Sequence, residues 1–177
     1  TIEAAPHVGG RIIGANDLVL TASIGIRGQG NALKRGFARL KNVEVKTLCD
    51  VDANLAPARI NDERLKEVAT FKPGFVQDLR RVLDDKDIDA VSIVTMWDQH
   101  TDPAIAALEA GKHVFLEKPM ASTVADCRKI IAASKKARGI LQIGHICRFN
   151  PRYRMAKQAI DEGRIGRIVA LSSRRNI

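Results

Sequence analysis

Short apolar runs alternate with amphipathic stretches along most of this chain, and a cluster of glycines follows the first run. Residues 18–24 are apolar and end in Gly25, Gly28 and Gly30; Leu33, Phe37 and Leu40 then recur at helical spacing, which parses as strand, turn, helix. The unit repeats in kind. Residues 43–49, the stretch around Phe75, and residues 90–95, 113–116 and 140–146 read as strands, with helices over 55–69, 78–83, 103–110 and 123–138 between them. Thr123 with Asp126 three positions on suits a helix start, and Gly139 suits its stop. Strands apolar on both faces need cover on both sides, so the pattern predicts an α/β fold built on a doubly wound parallel sheet.

That domain is expected over residues 18–147, behind an extended arm at 1–17. Beyond it Asn150 is placed to cap a helix with Pro151 in its first turn, running to about Glu162, and residues 167–173 read as one more strand. A lone strand leaves its backbone donors and acceptors open until something pairs with it. Residues 148–177 therefore read as the linking helix and first strand of a truncated second α+β domain. A length of 177 residues, 45% hydrophobic and 28% charged, fits one domain and the start of another and excludes disorder as the main state.

Charged residues interrupt every apolar stretch well short of the roughly 18 residues of a membrane span, so no membrane partner is expected. Cys49, Cys127 and Cys147 form no Cys-x-x-Cys pair and sit near no histidine cluster; they read as free thiols, mostly in the core, with no metal site. The formal charge of +9 is concentrated in residues 145–177, where eight Lys and Arg face two acids and only Phe149 and Tyr153 are aromatic. Single-strand binders interleave stacking residues with their cations, so no nucleic-acid partner is expected.

Chemistry enters at the glycine turn. Between a strand and a helix, backbone amides and the helix dipole can hold a pyrophosphate, and glycine admits it where a side chain would block the approach. In the fingerprint G-x-G-x-x-G, Gly25 and Gly30 take the outer places, Arg27 stands at the middle glycine, and Gly28 follows it. Asp50 ends the second strand twenty positions after Gly30, near the spacing at which an acid accepts hydrogen bonds from an adenosine ribose. A carboxylate there repels a 2'-phosphate, which favours NAD over NADP; Arg27 would offset that preference if it reached the same pocket.

The stretch Ala107-Leu-Glu-Ala-Gly-Lys-His-Val-Phe-Leu-Glu-Lys-Pro119 resembles the glucose-fructose oxidoreductase, inositol dehydrogenase and rhizopine-catabolism (Gfo/Idh/MocA) family, whose most specific motif matches Glu117-Lys118-Pro119. The glycine turn, Cys49-Asp50-Val51-Asp52, Thr95 with His100 five residues on, and Arg148-Phe149-Asn150-Pro151 with Tyr153 extend the resemblance over residues 18 to about 175. It implies a Rossmann domain of an NAD- or NADP-dependent oxidoreductase acting on sugars, cyclitols or related polyols. It also implies that Glu117 contacts the nicotinamide-side ribose, that Lys118 sits beside the nicotinamide and the substrate hydroxyl as a catalytic group, and that Pro119 follows a cis bond. Thr95 and His100 match cofactor-side positions, although Met96 and Trp97 stand where the family usually has proline after the threonine. His145, Arg148 and Tyr153 match positions lining the substrate cleft.

In such relatives the base that takes the hydroxyl proton, commonly a histidine, comes from a second domain that also forms the homo-oligomer interface. This chain is therefore expected to bind NAD weakly and to turn over nothing by itself. Two other readings stay open: a glycoside hydrolase using bound NAD transiently, which the turn Gly-Ile-Arg-Gly-Gln and Trp97 resemble, and a non-catalytic dinucleotide-binding module. The start at Thr1 suggests a processed or partial chain. Arg11-Ile-Ile-Gly-Ala-Asn-Asp17 resembles the segment behind an export signal in secreted members, and both periplasm and cytoplasm stay open.

Overall fold

The structure is a computed structural model that describes residues 7–8, 11–12, 18–69 and 72–172. Within the arm, β1 (His7–Val8) and β2 (Arg11–Ile12) pair antiparallel, with His7 opposite Ile12. The domain itself opens with β3 (Val19–Ile24), followed by α1 (Gly28–Ala38) and β4 (Val43–Cys49). Next come α2 (Ala56–Ile60), α3 (Glu63–Lys66), β5 (Gly74–Val76), α4 (Leu79–Asp84) and β6 (Ala90–Ile93). The series continues with α5 (Thr101–Glu109), β7 (His113–Leu116), α6 (Val124–Lys136) and β8 (Leu141–Ile143). After a short 3-10 turn, α7 (Pro151–Asp161) follows, with Asn150 capping it by accepting from Arg152 N.

Strands β3 to β8 form one parallel sheet in the order β5-β4-β3-β6-β7-β8. The chain moves outward from β3 in one direction, then returns beside it and moves outward in the other. At the β3/β6 boundary the connections leave toward opposite faces, and the crevice at the strands' carboxyl ends is where such sheets bind ligands. Two compact units divide the chain, Thr1–Gly144 and His145–Ile177.

Alternation along each strand sorts the core. Ala22, Ile24, Val91, Ile93, Val114 and Leu116 face one way, into a cluster with Ala104, Ala107, Leu108 and Ile130. On the other face, Val45 and Leu48 of β4 cluster with Ile26, Ala38 and Leu65. Toward β6–β8 that second face carries Thr21, Ser23, Ala90, Ser92 and His113, with the Ser92 hydroxyl donating to Ser23 Oγ at 3.3 Å. The expectation of strands apolar on both faces therefore holds only for part of the sheet.

Three expected elements differ. The helix over 55–69 is broken into α2 and α3, because Asp62 turns inward between them and caps α3 by accepting from Arg64 N. The last strand of the sheet stops at Ile143: a Cβ at Gly144 would lie 3.0 Å from Glu117 Oε2, and the chain leaves the sheet there. Residues 167–172 are irregular where a strand was expected, since no described residue offers them a ladder and a strand needs a neighbour to satisfy its backbone. Residue 173, the end of that expected strand, lies outside the described residues.

Candidate functional site

The glycine turn is held from three sides. Gly25 has φ +82°, its amide donates to Cys49 O at 2.8 Å, and a Cβ there would lie 2.5 Å from Val94 O. Ile26 is wholly buried; its amide donates to Asp50 Oδ2 at 3.0 Å and its carbonyl accepts from Arg59 Nε at 2.8 Å. A Cβ at Gly30 would lie 1.9 Å from Gly25 O, so α1 packs its first turn directly onto the loop. At Gly28 a Cβ would meet nothing within 4 Å. The outer glycines thus shape the turn, and open space lies over the inner one.

The first intrahelical bond of α1 is made by Asn31 N to Arg27 O, which leaves the amides of Gly28, Gln29 and Gly30 as the unpaired donors of a helix start. An anion is stabilised at such a terminus by those amides and by the helix dipole. Beside it lies a cleft of about 730 Å³ lined by Gly25, Arg27, Asp50, Thr95, Met96 and Gln99 among others. Unpaired amides, open space at Gly28 and an acid at the end of β4 are the donor set a dinucleotide requires, so these residues fit one.

Asp50 is half-buried, and its two oxygens accept from Ile26 N and Asp52 N, both at 3.0 Å. Arg27 does not point at Asp50: its Nη2 lies 2.5 Å from Asp52 Oδ2. Across the cleft, Arg80 wraps the Asp78 carboxylate from Nε and Nη2, and that pairing holds the Asp78 carboxyl down at about 2. Burial pushes the Cys49 thiol up to about 11, which leaves it an inert core group.

On the far side of the β3/β6 boundary, β7 ends in Glu117, Lys118 and Pro119. Glu117 is buried; its Oε1 accepts from Gln29 Nε2 at 3.2 Å, and its Oε2 accepts from the amide of Lys118. The Gln29 contact ties the start of α1 to the end of β7. Lys118 is exposed, and the Lys118–Pro119 peptide is cis, as the motif implied.

His100, expected at a cofactor-side position, lies buried between two backbone carbonyls. It is 1% exposed, with Nδ1 2.8 Å from Pro119 O and Nε2 3.2 Å from Thr95 O. The ring lies between the two carbonyls, with one N–H to donate to either in its neutral form, and by filling that space links the loop after β6 to the loop after β7. Thr95 stays at the cleft wall, its hydroxyl donating to Gln99 O at 3.3 Å. His145, Arg148 and Tyr153 are exposed residues of the second unit.

Sequence reasoning gave Asp52 and Gln29 no bonding role, and missed Arg59 and the buried cluster behind the loop. In that cluster Lys34 is fully buried and donates to Asp62 Oδ2 at 3.0 Å and to Arg59 O at 2.8 Å, while Arg35 grips both Asp62 oxygens. Burial pulls the Lys34 amine down. Burial by itself would raise Asp62, but hydrogen bonds from Arg35 and Lys34 outweigh it and hold the carboxyl at about 2. Lys112 is likewise buried, donating to Asp85 O and Ile88 O; it closes two loops at the opposite end of the sheet. Among the described residues no three His, Cys, Asp or Glu side chains converge as metal ligands, and no helix is long and apolar enough to cross a membrane.

The doubly wound sheet, the braced glycine turn and the acid after β4 define a dinucleotide-binding Rossmann domain. The sequence matches the model of the Gfo/Idh/MocA oxidoreductase family, NAD-binding Rossmann fold, over residues 22–145, and the chain belongs to that family. It is 36% identical over 160 residues to an inositol 2-dehydrogenase of Salmonella typhimurium, covering 88% of this chain and 46% of that protein. A glycosyl hydrolase family 109 protein of Shewanella pealeana is 34% identical over 140 residues, 75% of this chain and 30% of the relative. Scyllo-inositol dehydrogenase from Lactobacillus casei, solved with NAD(H) and scyllo-inositol, superposes with a TM-score of 0.75 at 25% identity over 85% of this chain and 43% of that one. The chain thus spans about half the length of the curated inositol dehydrogenases it matches.

Proposed function

We propose that the chain is the cofactor-binding part of an oxidoreductase that moves hydride between NAD and a cyclitol, sugar or related polyol. The observation that carries this is the Gln29–Glu117 contact: it sets the helix start that would hold the pyrophosphate beside the exposed Lys118, on one crevice. In this reading the amides of Gly28, Gln29 and Gly30 take the pyrophosphate and Asp50 the adenosine ribose, with Gly25 and Thr95 forming the walls between. Glu117 takes the nicotinamide-side ribose, and Lys118 hydrogen-bonds the substrate hydroxyl and steadies developing negative charge on its oxygen.

NAD, when bound, supplies the hydride acceptor. A base for the hydroxyl proton is not assigned to any described residue; His145, Arg148 and Tyr153 are kept as substrate-side candidates, and in this reading the base and the oligomer interface come from a domain like that of the longer relatives. The likeness to inositol 2-dehydrogenases supports a cyclitol substrate.

The test is Lys118→Ala in the whole gene product. Turnover of NAD with myo-inositol should fall at least 100-fold while the thermal midpoint stays put, because Lys118 is exposed and makes no side-chain bond that the fold needs. Unchanged turnover would refute the role. The 177-residue chain alone should bind NAD and oxidise nothing. The likeness to a family 109 protein supports a second reading, glycoside hydrolysis with NAD used transiently. Release of nitrophenol from a nitrophenyl glycoside without net NADH separates the two.

A further inference from the structure

We propose that the Arg27–Asp52 ion pair is a cofactor-selectivity latch: Asp52 ties up the cation that would otherwise seat a 2'-phosphate, and so keeps the site for NAD. The inference rests on the dinucleotide reading above and names a residue, Asp52, that this reading leaves without a role.

Position decides the first step. Arg27 stands where the fingerprint has its middle glycine, and its amino group reaches 25 residues along the chain to Asp52, two residues beyond the ribose acid Asp50. A guanidinium at that place is the group best suited to a phosphate monoester, because its planar fork matches two phosphate oxygens. Left free, it would favour NADP.

The charge around it decides the second. Asp50 is held by two backbone amides and by no cation, so it can still accept from a ribose diol but repels a phosphate. The cleft wall offers two arginines, Arg27 and Arg80, and each already sits on an aspartate, Asp52 and Asp78. A 2'-phosphate arriving beside Asp50 therefore meets arginines already facing carboxylates, and has to draw the Arg27 guanidinium away from Asp52, which it holds through Nη2, or share it with that carboxylate. A ribose bearing two hydroxyls asks for no cation and leaves the pair intact.

Asp52 is also tied to the backbone, which makes the conservative variant clean. Its Oδ1 accepts from Asn54 N at 3.1 Å while Oδ2 holds Arg27. Asp52→Asn keeps a carbonyl oxygen for Asn54 N and loses the charge that holds the guanidinium.

The experiment is calorimetric titration of the chain, and of its Asp52→Asn, Arg27→Ala and double variants, with NAD+ and with NADP+, each checked for native circular dichroism. Wild type should bind NAD+ at least tenfold tighter than NADP+. Asp52→Asn should shift that ratio toward NADP+ by roughly two- to fivefold, the worth of one solvent-exposed ion pair. Adding Arg27→Ala should abolish the shift. A ratio unchanged in Asp52→Asn, a shift that survives loss of Arg27, or equal binding of the two cofactors by wild type overturns the latch while the dinucleotide site stands. Failure of folded wild type to bind either cofactor overturns the site and the latch together.

Discussion

Gly30→Ala and Gly28→Ala place the same methyl group two residues apart on the same helix turn, and the structure predicts opposite results. At Gly30 the new Cβ would lie 1.9 Å from Gly25 O and 2.9 Å from Gly25 C. Both are rigid backbone atoms, so relief has to come from α1 lifting off the loop by more than an ångström. That movement strains the bonds that fix the turn, Gly25 N to Cys49 O and Ile26 N to Asp50 Oδ2. Overpacking of this kind costs about 1–3 kcal/mol before any hydrogen bond is lost, and one lost buried bond adds about 1–3 kcal/mol. Against a typical domain stability of roughly 5–15 kcal/mol, Gly30→Ala should lower the urea midpoint sharply and abolish NAD binding. At Gly28 the methyl meets nothing within 4 Å, and at this first helical residue a change from glycine to alanine gains no more than the roughly 1 kcal/mol it brings in a helix interior. Gly28→Ala should therefore keep or raise the urea midpoint; any loss should fall on NAD affinity alone, because the open space is the space proposed for the phosphates. Equal midpoints for the two variants would refute the division between shaping and receiving glycines.

Three further outcomes follow from the bracing groups. Removing one partner from a buried charge cluster costs about 3–5 kcal/mol, so Asp62→Ala should lower stability by that order in urea titrations, with Lys34 left buried and short of its counter-charge. The folded Asp62 carboxyl is held below its usual value, so its stabilising contribution is complete above about pH 4 and disappears as pH falls through about 2. Midpoints measured from pH 5 to pH 2 should accordingly fall less steeply in Asp62→Asn than in wild type. His100→Ala removes the buried ring and its N–H from between the carbonyls of Thr95 and Pro119 and should cost about 1–3 kcal/mol in the absence of any cofactor, a loss a purely cofactor-contacting histidine would not show.

The outline of the sheet was legible because each strand and helix declares itself within a dozen residues, through apolar period, glycine and caps. Thr123 accepting from Asp126 N and Asn150 accepting from Arg152 N are local bonds between residues two or three apart. Glycine at 25 and 30 was legible for the same reason, as a spacing. What escaped were bonds over long separations: Arg59 to the Ile26 carbonyl, Arg27 to Asp52 and Gln29 to Glu117 join residues 33, 25 and 88 positions apart. Nothing in the local pattern distinguishes these polar side chains from solvated ones until the topology brings the strand ends together.

Helix α1 shows the deeper reason. Hydrophobic period put Leu33, Phe37 and Leu40 on its inner face, yet the residues it buries are Gly30, Asn31, Lys34 and Ala38, and Leu40 is 54% exposed. Apolar periodicity reports transfer from water, the term that governs how most helices pack. At the first crossover another demand prevails: the helix start must come within contact of the loop so that its amides face the crevice, and only small residues permit that approach. With glycine at the contact, Phe37 still packs on the core while Leu40 lies beyond the end of the helix, and Lys34 enters the interior on the carboxylate of Asp62. The burial of Gly30, Asn31 and Lys34 beside that stripe therefore marks, with the glycine spacing, the end of the sheet where the loop is held. It predicts that restoring the pattern, with Lys34→Leu, should leave Asp62 facing only Arg35 and loosen α3 rather than tighten the core.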